Sequence, residues 1–209
     1  MLEPARIRDL VEQLTAVISA LDRRPIAIGH GIGGLLAQIL VQQGSAGAAI
    51  SLAPVPSGLA DATAACRLAR NSPRLAWAAT RAAPVTPSLV RFGQAIASSV
   101  PAAEACLLFD RCAVAARPRT LVRSLIRPTM PARRHDRERR GPLLLTAAGR
   151  DMVINEASIG AQHRRYRRRQ PEAVTDYKVF PDRAHCLIVD SGWHAVGYYC
   201  LGWLTANGL

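Results

Sequence analysis

Residues Ile26–Gly34 read Ile-Ala-Ile-Gly-His-Gly-Ile-Gly-Gly, and this stretch decides the fold. Ile26 to Gly29 is short and continuously apolar, as in a parallel strand covered on both faces. Gly-His-x-x-Gly-Gly then turns the chain. Ile32 to Gln43 continues as an apolar helix with Leu35, Leu36, Ile39 and Leu40 inward and Gly44 as its stop. At the centre of the turn stands Gly31, which tolerates a strained backbone and brings no side-chain chemistry.

The pattern extends in both directions. Upstream, Ile7, Leu10, Val11, Leu14, Val17, Ile18 and Leu21 recur at helical spacing, predicting an amphipathic helix over Ala5 to Asp22 that Pro25 closes off. Downstream, Ala48 to Leu52 is a second buried strand, after which Pro54 and Pro56 break the pattern. From there to about Arg140 the chain is punctuated by proline and helix-like. Candidate helices are Leu59 to Arg70, Ser88 to Ser98, Ala102 to Ala115 and Thr120 to Ile126. Pro142 to Ala148 resumes the buried strand pattern, Glu156 to Arg169 is helical, and Val174 to Phe180 has the mixed polarity of a strand near a sheet edge. Trp193, Val196, Cys200, Trp203 and Leu204 give a terminal helix its apolar face.

Strands alternating with helices predict an α/β fold with a mostly parallel sheet flanked by helices. The core is expected at 1–53 and 141–209, with a helical cap insertion at 54–140.

Composition narrows the function classes. The chain has 209 residues, 49% hydrophobic and 20% charged, enough for a substantial core. No apolar run approaches the ~20 residues of a membrane span. Met1 to Leu10 lacks the apolar segment of a signal peptide, so the expected compartment is cytoplasmic and no membrane partner is expected. The five cysteines lack metal-ligand spacing; they read as reduced thiols, with no metal and no cofactor expected. The net charge is +12, and Lys178 is the only lysine. Arginines gather at Arg133 to Arg140 and His163 to Arg169 with only Tyr166 interleaved, so no nucleic-acid partner is expected. Weak attraction of anionic substrates is compatible with this charge.

Three positions form the pattern: Gly31 in the turn, Asp151 in Ala-Ala-Gly-Arg-Asp, and His185 in Phe-Pro-Asp-Arg-Ala-His. Each falls just past the C-terminal end of a predicted parallel strand, where open α/β sheets place their sites. The order nucleophile position, acid, histidine is that of the α/β-hydrolase triad. Pro-Ile-Ala-Ile-Gly-His-Gly-Ile-Gly-Gly-Leu-Leu-Ala-Gln resembles the nucleophile elbow and following helix of the capped bacterial α/β-hydrolases. Leu-Ala-Pro-Val-Pro-Ser-Gly resembles the start of their cap. Gly-Pro-Leu-Leu-Leu-Thr-Ala-Ala-Gly-Arg-Asp resembles their acid strand, and Phe-Pro-Asp-Arg-Ala-His-Cys-Leu-Ile-Val-Asp-Ser-Gly-Trp their histidine loop.

The resemblance implies that Asp151 orients His185 and that His185 takes the nucleophile's proton. It gives the Ile32 amide to the oxyanion and places His30, Pro54 and Val55 at the substrate, with His30 also a common packing residue of the elbow. The implied ligand is a small apolar ester or lactone held between cap and core. Cys186, beside His185, is not at the elbow and is not expected to substitute as nucleophile.

Two features depart from the family. Gly31 stands where Ser, Cys or Asp would attack, so an acyl-enzyme cannot form there. The family's first strands, which normally precede the helix at Ala5, are expected to be absent. The strand at 26–29 would then lie at a sheet edge and invite a homo-oligomer. Three readings follow: a family hydrolase impaired at its nucleophile, a non-catalytic ligand-binding or regulatory protein, and an enzyme that uses His185 and Asp151 as general base in a cyclase, lyase or water-attack hydrolase reaction.

Overall fold

The computed structural model describes residues 7–55, 86–114 and 140–209. The elements in chain order are α1 (Ile7–Ser19), β1 (Ile26–His30), α2 (Ile32–Gln42), β2 (Ala48–Leu52), α3 (Leu89–Ala95), α4 (Ala102–Cys112), β3 (Leu143–Ala148), α5 (Glu156–Arg169), β4 (Thr175–Phe180) and α6 (Trp193–Ala206). Four strands form one sheet in the order β1-β2-β3-β4, and every neighbouring pair is parallel. The expected α/β architecture is therefore present.

Burial follows position in the sheet. β2 and β3 are central, and all their residues are buried, which is why both read as unbroken apolar runs. Leu143, Leu144 and Leu145 are fully buried, each contributing about 1.5–3 kcal/mol of apolar burial. Among the described residues, β1 and β4 lie at the two edges. β4 carries Asp176 and Lys178, whereas β1 has no charged residue.

Helices cover both faces. On one, α1, α2 and α5 bring Val11, Leu35, Ile39 and Ile159 against Ala49, Leu143 and Leu145. On the other, Val196, Cys200 and Trp203 of α6 pack on Ile50, Leu144 and Phe180. A buried polar chain crosses the first layer. Ser51 Oγ donates to the Gly34 carbonyl, Gln38 Nε2 to Ser51 Oγ, and Tyr166 Oη to Gln38 Oε1. The buried Arg140 guanidinium lies 5.2 Å from the Tyr166 ring centroid and donates to Gln170, to the Gly141 and Val174 carbonyls and to Thr175. Burial lowers the Arg140 pKa.

Some sequence expectations need correction. Leu14, Val17 and Leu21 of the expected stripe are exposed; the core takes Ile7 and Val11 of α1, with Ile18 packed partly buried against it. Trp193 is half-exposed and stacks on His194 instead of joining the α6 core face. His163, at the head of the second arginine cluster, stacks on Tyr177 and donates from Nε2 to the Thr175 carbonyl. Phe92 and Phe109 meet edge to face at 5.6 Å and belong to a core that includes Ala184 and Cys186. The helices proposed at 59–70 and 120–126, together with Trp77, His135 and Cys66, lie outside the described residues.

Candidate active site

The turn after β1 is shaped by its glycines. A Cβ on Gly29 would overlap the Gly33 carbonyl, so only glycine lets the first turn of α2 close over the end of β1. Gly31 has φ 57° and ψ −116°, a conformation that side-chain-bearing residues adopt only under strain. Backbone bonds fix it there. Gly31 N–H donates to the Leu52 carbonyl at 3.0 Å, and the Gly31 carbonyl accepts from Leu35 at 3.3 Å and Val55 at 3.0 Å. The strained turn is thus held by the sheet, α2 and the Pro54–Val55 segment, with no help from a side chain.

Asp151 follows β3 and His185 follows β4, and the structure brings them together. His185 Nδ1–H donates to Asp151 Oδ2 at 2.7 Å. The Asp151 side chain is fully buried, and its other oxygen accepts from the Val153 and Ile154 amides at 2.7 and 2.8 Å. Three bonds leave this carboxylate no freedom to turn, so the imidazole orientation is set. In the neutral ring, an Nδ1–H committed to Asp151 leaves the Nε2 lone pair free to take a proton. That Nε2 atom lies 3.8 Å from the point a Gly31 Cβ would occupy. A side-chain oxygen one bond further out would come within hydrogen-bonding reach.

Ile32 opens α2, so its N–H is among the first-turn donors that the helix itself leaves unpaired. It sits beside Gly31, at the positive end of the helix dipole, as an oxyanion donor must.

His30 holds His185 from below. Its Nε2 is 2.9 Å from the His185 carbonyl, and the two rings are 4.5 Å apart. A carbonyl only accepts, so His30 Nε2 carries the proton. Burial, and then the neighbouring His185, lower the His30 pKa to about 4. His30 therefore stays neutral through the physiological range and is a positioning group for His185. Val55 is buried in the core, and Pro54 packs beside Gly34.

Sequence reasoning missed the supports of the histidine loop. Asp190 is fully buried; it accepts from Arg183 Nη1 at 3.2 Å and from the Gly192 amide at 2.9 Å. A lone acid inside Leu-Ile-Val-Asp-Ser was the available signal. The α3–α4 hairpin also grips this loop. Cys186 N–H donates to the Ile96 carbonyl, Ala184 N–H to Ser99 Oγ and Ser191 N–H to Glu104 Oε1. Cys186 is buried, and desolvation followed by Asp190 pushes its thiol up to about 12, so it is not a nucleophile at neutral pH.

The described residues hold no group of three or more His, Cys, Asp or Glu side chains that could bind a metal. No described helix is long and apolar enough to cross a membrane.

The model of the alpha/beta hydrolase family matches residues 2–196. The chain belongs to that family. Solved structures show the same fold. A monoacylglycerol lipase from Paleococcus ferrophilus matches with a TM-score of 0.63 at 14% identity, over 97% of this chain and 76% of the lipase. A monoglyceride lipase from Saccharomyces cerevisiae gives a TM-score of 0.67 at 14% identity, over 98% and 71% of the two chains. An esterase from Exiguobacterium antarcticum gives 0.62 at 12% identity, over 96% and 74%. No match was found among the curated proteins. In this family member, Asp151 and His185 meet at 2.7 Å beside the Gly31 turn.

Proposed function

We propose that this alpha/beta hydrolase family protein binds a small apolar ester or lactone above the Gly31 turn. It is impaired in acyl-enzyme hydrolysis, and its remaining chemistry is general-base catalysis by His185 backed by Asp151. One observation carries this reading. The Asp151–His185 pair is closed at 2.7 Å, and the free His185 Nε2 faces a backbone position with no side chain. Water bound there would lose its proton to Nε2 as it attacks the ester carbonyl. The Ile32 amide would take the developing oxyanion, and the imidazolium would return the proton to the leaving alkoxide. The named activities of the lipase and esterase neighbours favour an ester as substrate class.

The test is release of nitrophenolate from short-chain nitrophenyl esters by the parent protein, Gly31→Ser and His185→Ala. Slow turnover in the parent, lost in His185→Ala and raised in Gly31→Ser, supports the proposal. A second reading, a non-catalytic ligand-binding protein, draws on Gly31 itself. It predicts saturable ester binding by the parent with turnover equal to buffer.

A further inference from the structure

We infer that the site accepts a small hydroxyl compound in place of the missing nucleophile side chain, and so transfers an acyl group directly from an ester to an alcohol. The inference rests on the general-base reading above and names the acceptor class. Three observations carry it. Gly31 keeps its strained conformation through backbone bonds alone, so the turn is preformed without a side chain. Among the described residues, His185 Nε2, at 3.8 Å, is the one heavy atom beyond the chain neighbours within 4 Å of the Cβ point. The room at that point is bounded by a proton acceptor and adjoins the Ile32 amide. A hydroxymethyl side chain would fill it; methanol has the same two heavy atoms.

The step balances without another reactant. The alcohol oxygen bonds to the ester carbonyl carbon as its proton passes to His185 Nε2. The resulting oxyanion rests on the Ile32 N–H. The tetrahedral adduct then breaks its bond to the original alkoxy group, which leaves with the proton from Nε2. An ester and an alcohol become a new ester and a new alcohol, with no covalent enzyme intermediate. A tertiary alcohol is larger than the hydroxymethyl group a serine would carry at Gly31, and it attacks a carbonyl poorly.

The experiment incubates the protein with nitrophenyl acetate across a methanol series and follows both nitrophenolate and methyl acetate. The expected result is a severalfold, saturable rise in nitrophenolate with methyl acetate as product, lost in His185→Ala and absent with tert-butanol. Gly31→Ala, whose methyl group occupies the room, loses the saturable response while retaining a cooperative thermal transition. If that variant does not fold, the methanol and tert-butanol comparison in the parent decides. An ester bearing its own hydroxyl chain distinguishes the acceptor's source. Lactone formed above the buffer rate, with no response to methanol, assigns the hydroxyl to the substrate and still supports direct transfer. His185-dependent acetate release with neither methyl ester nor lactone overturns this inference and leaves the water reading standing. Release equal to buffer under all conditions overturns both.

Discussion

His30 and His185 are joined by a hydrogen bond from the imidazole Nε2–H of the first to the backbone carbonyl of the second, 2.9 Å long. The elbow thus holds the histidine loop directly, and the bond requires a neutral His30. Its pKa of about 4 in the fold lies below the ordinary value of 6.5. The unfolded chain therefore binds the extra proton first, and stability from this group is complete above about pH 6.5 and falls as pH drops towards 4. The loss is on the order of 3 kcal/mol at most. His30→Gln removes this titration. Urea denaturation should show the variant gaining on the parent as pH falls from 7 to 4; a constant difference would exclude the burial effect.

Placing a hydroxyl side chain at Gly31 carries a conformational cost. At φ 57° and ψ −116°, Gly31→Ser places a side chain where glycine alone is unstrained. We expect about 1–3 kcal/mol of lost stability together with gained esterase activity. Denaturant melts and nitrophenyl ester assays on the same preparation check both effects. A variant that is more active and equally stable would show that the turn carries no such strain.

Gly29 is constrained by contact. A Cβ there would overlap the backbone of Gly33, which no rotamer change relieves. Gly29→Ala should cost about 3 kcal/mol or more and separate β1 from α2. A thermal shift within a degree or so of the parent would contradict the close packing.

Arg140 ties the start of β3 to Gln170 and Thr175 and stacks near Tyr166. Arg140→Ala should lower stability by about 2–4 kcal/mol, since several buried acceptors lose a charged donor together. The residue lies at the opposite end of β3 from Asp151. Any nitrophenyl ester turnover by folded protein should therefore survive the substitution.

The outer edge of β1 supports a proposal about assembly. Ile28 is 59% exposed, and Ile26–His30 contains no lysine, arginine or proline to guard the edge. Self-association through this strand is opposed by the net charge of +12, so it should strengthen as salt screens the repulsion. Light scattering at low and high ionic strength checks this, with Ile28→Lys as the disrupting variant. A monomer at high concentration in both conditions would end the proposal.

The sheet was legible because strands buried on both faces advertise themselves. Ala48–Leu52 and the triple leucine of β3 read unambiguously, and the helix expected at Glu156 to Arg169 is α5. The meeting of Asp151 and His185 beside Gly31 was legible because each follows a strand in a fixed order. The remainder depends on tertiary contacts. No local pattern says that His30 will bond a carbonyl 155 positions away. None says that Val17, set at perfect helical spacing, will face outward at 64% exposure. Asp190 was visible as an acid among apolar residues, but its partner Arg183 was not.

The bonds from Ile96, Ser99 and Glu104 to the histidine loop have a consequence for protein engineering. Replacing residues 86–114 with a relative's would remove the contacts that hold the His185 loop. A chimera should leave α3, α4 and the residues between them native. The 2.7 Å bond between His185 and Asp151 should then survive the exchange.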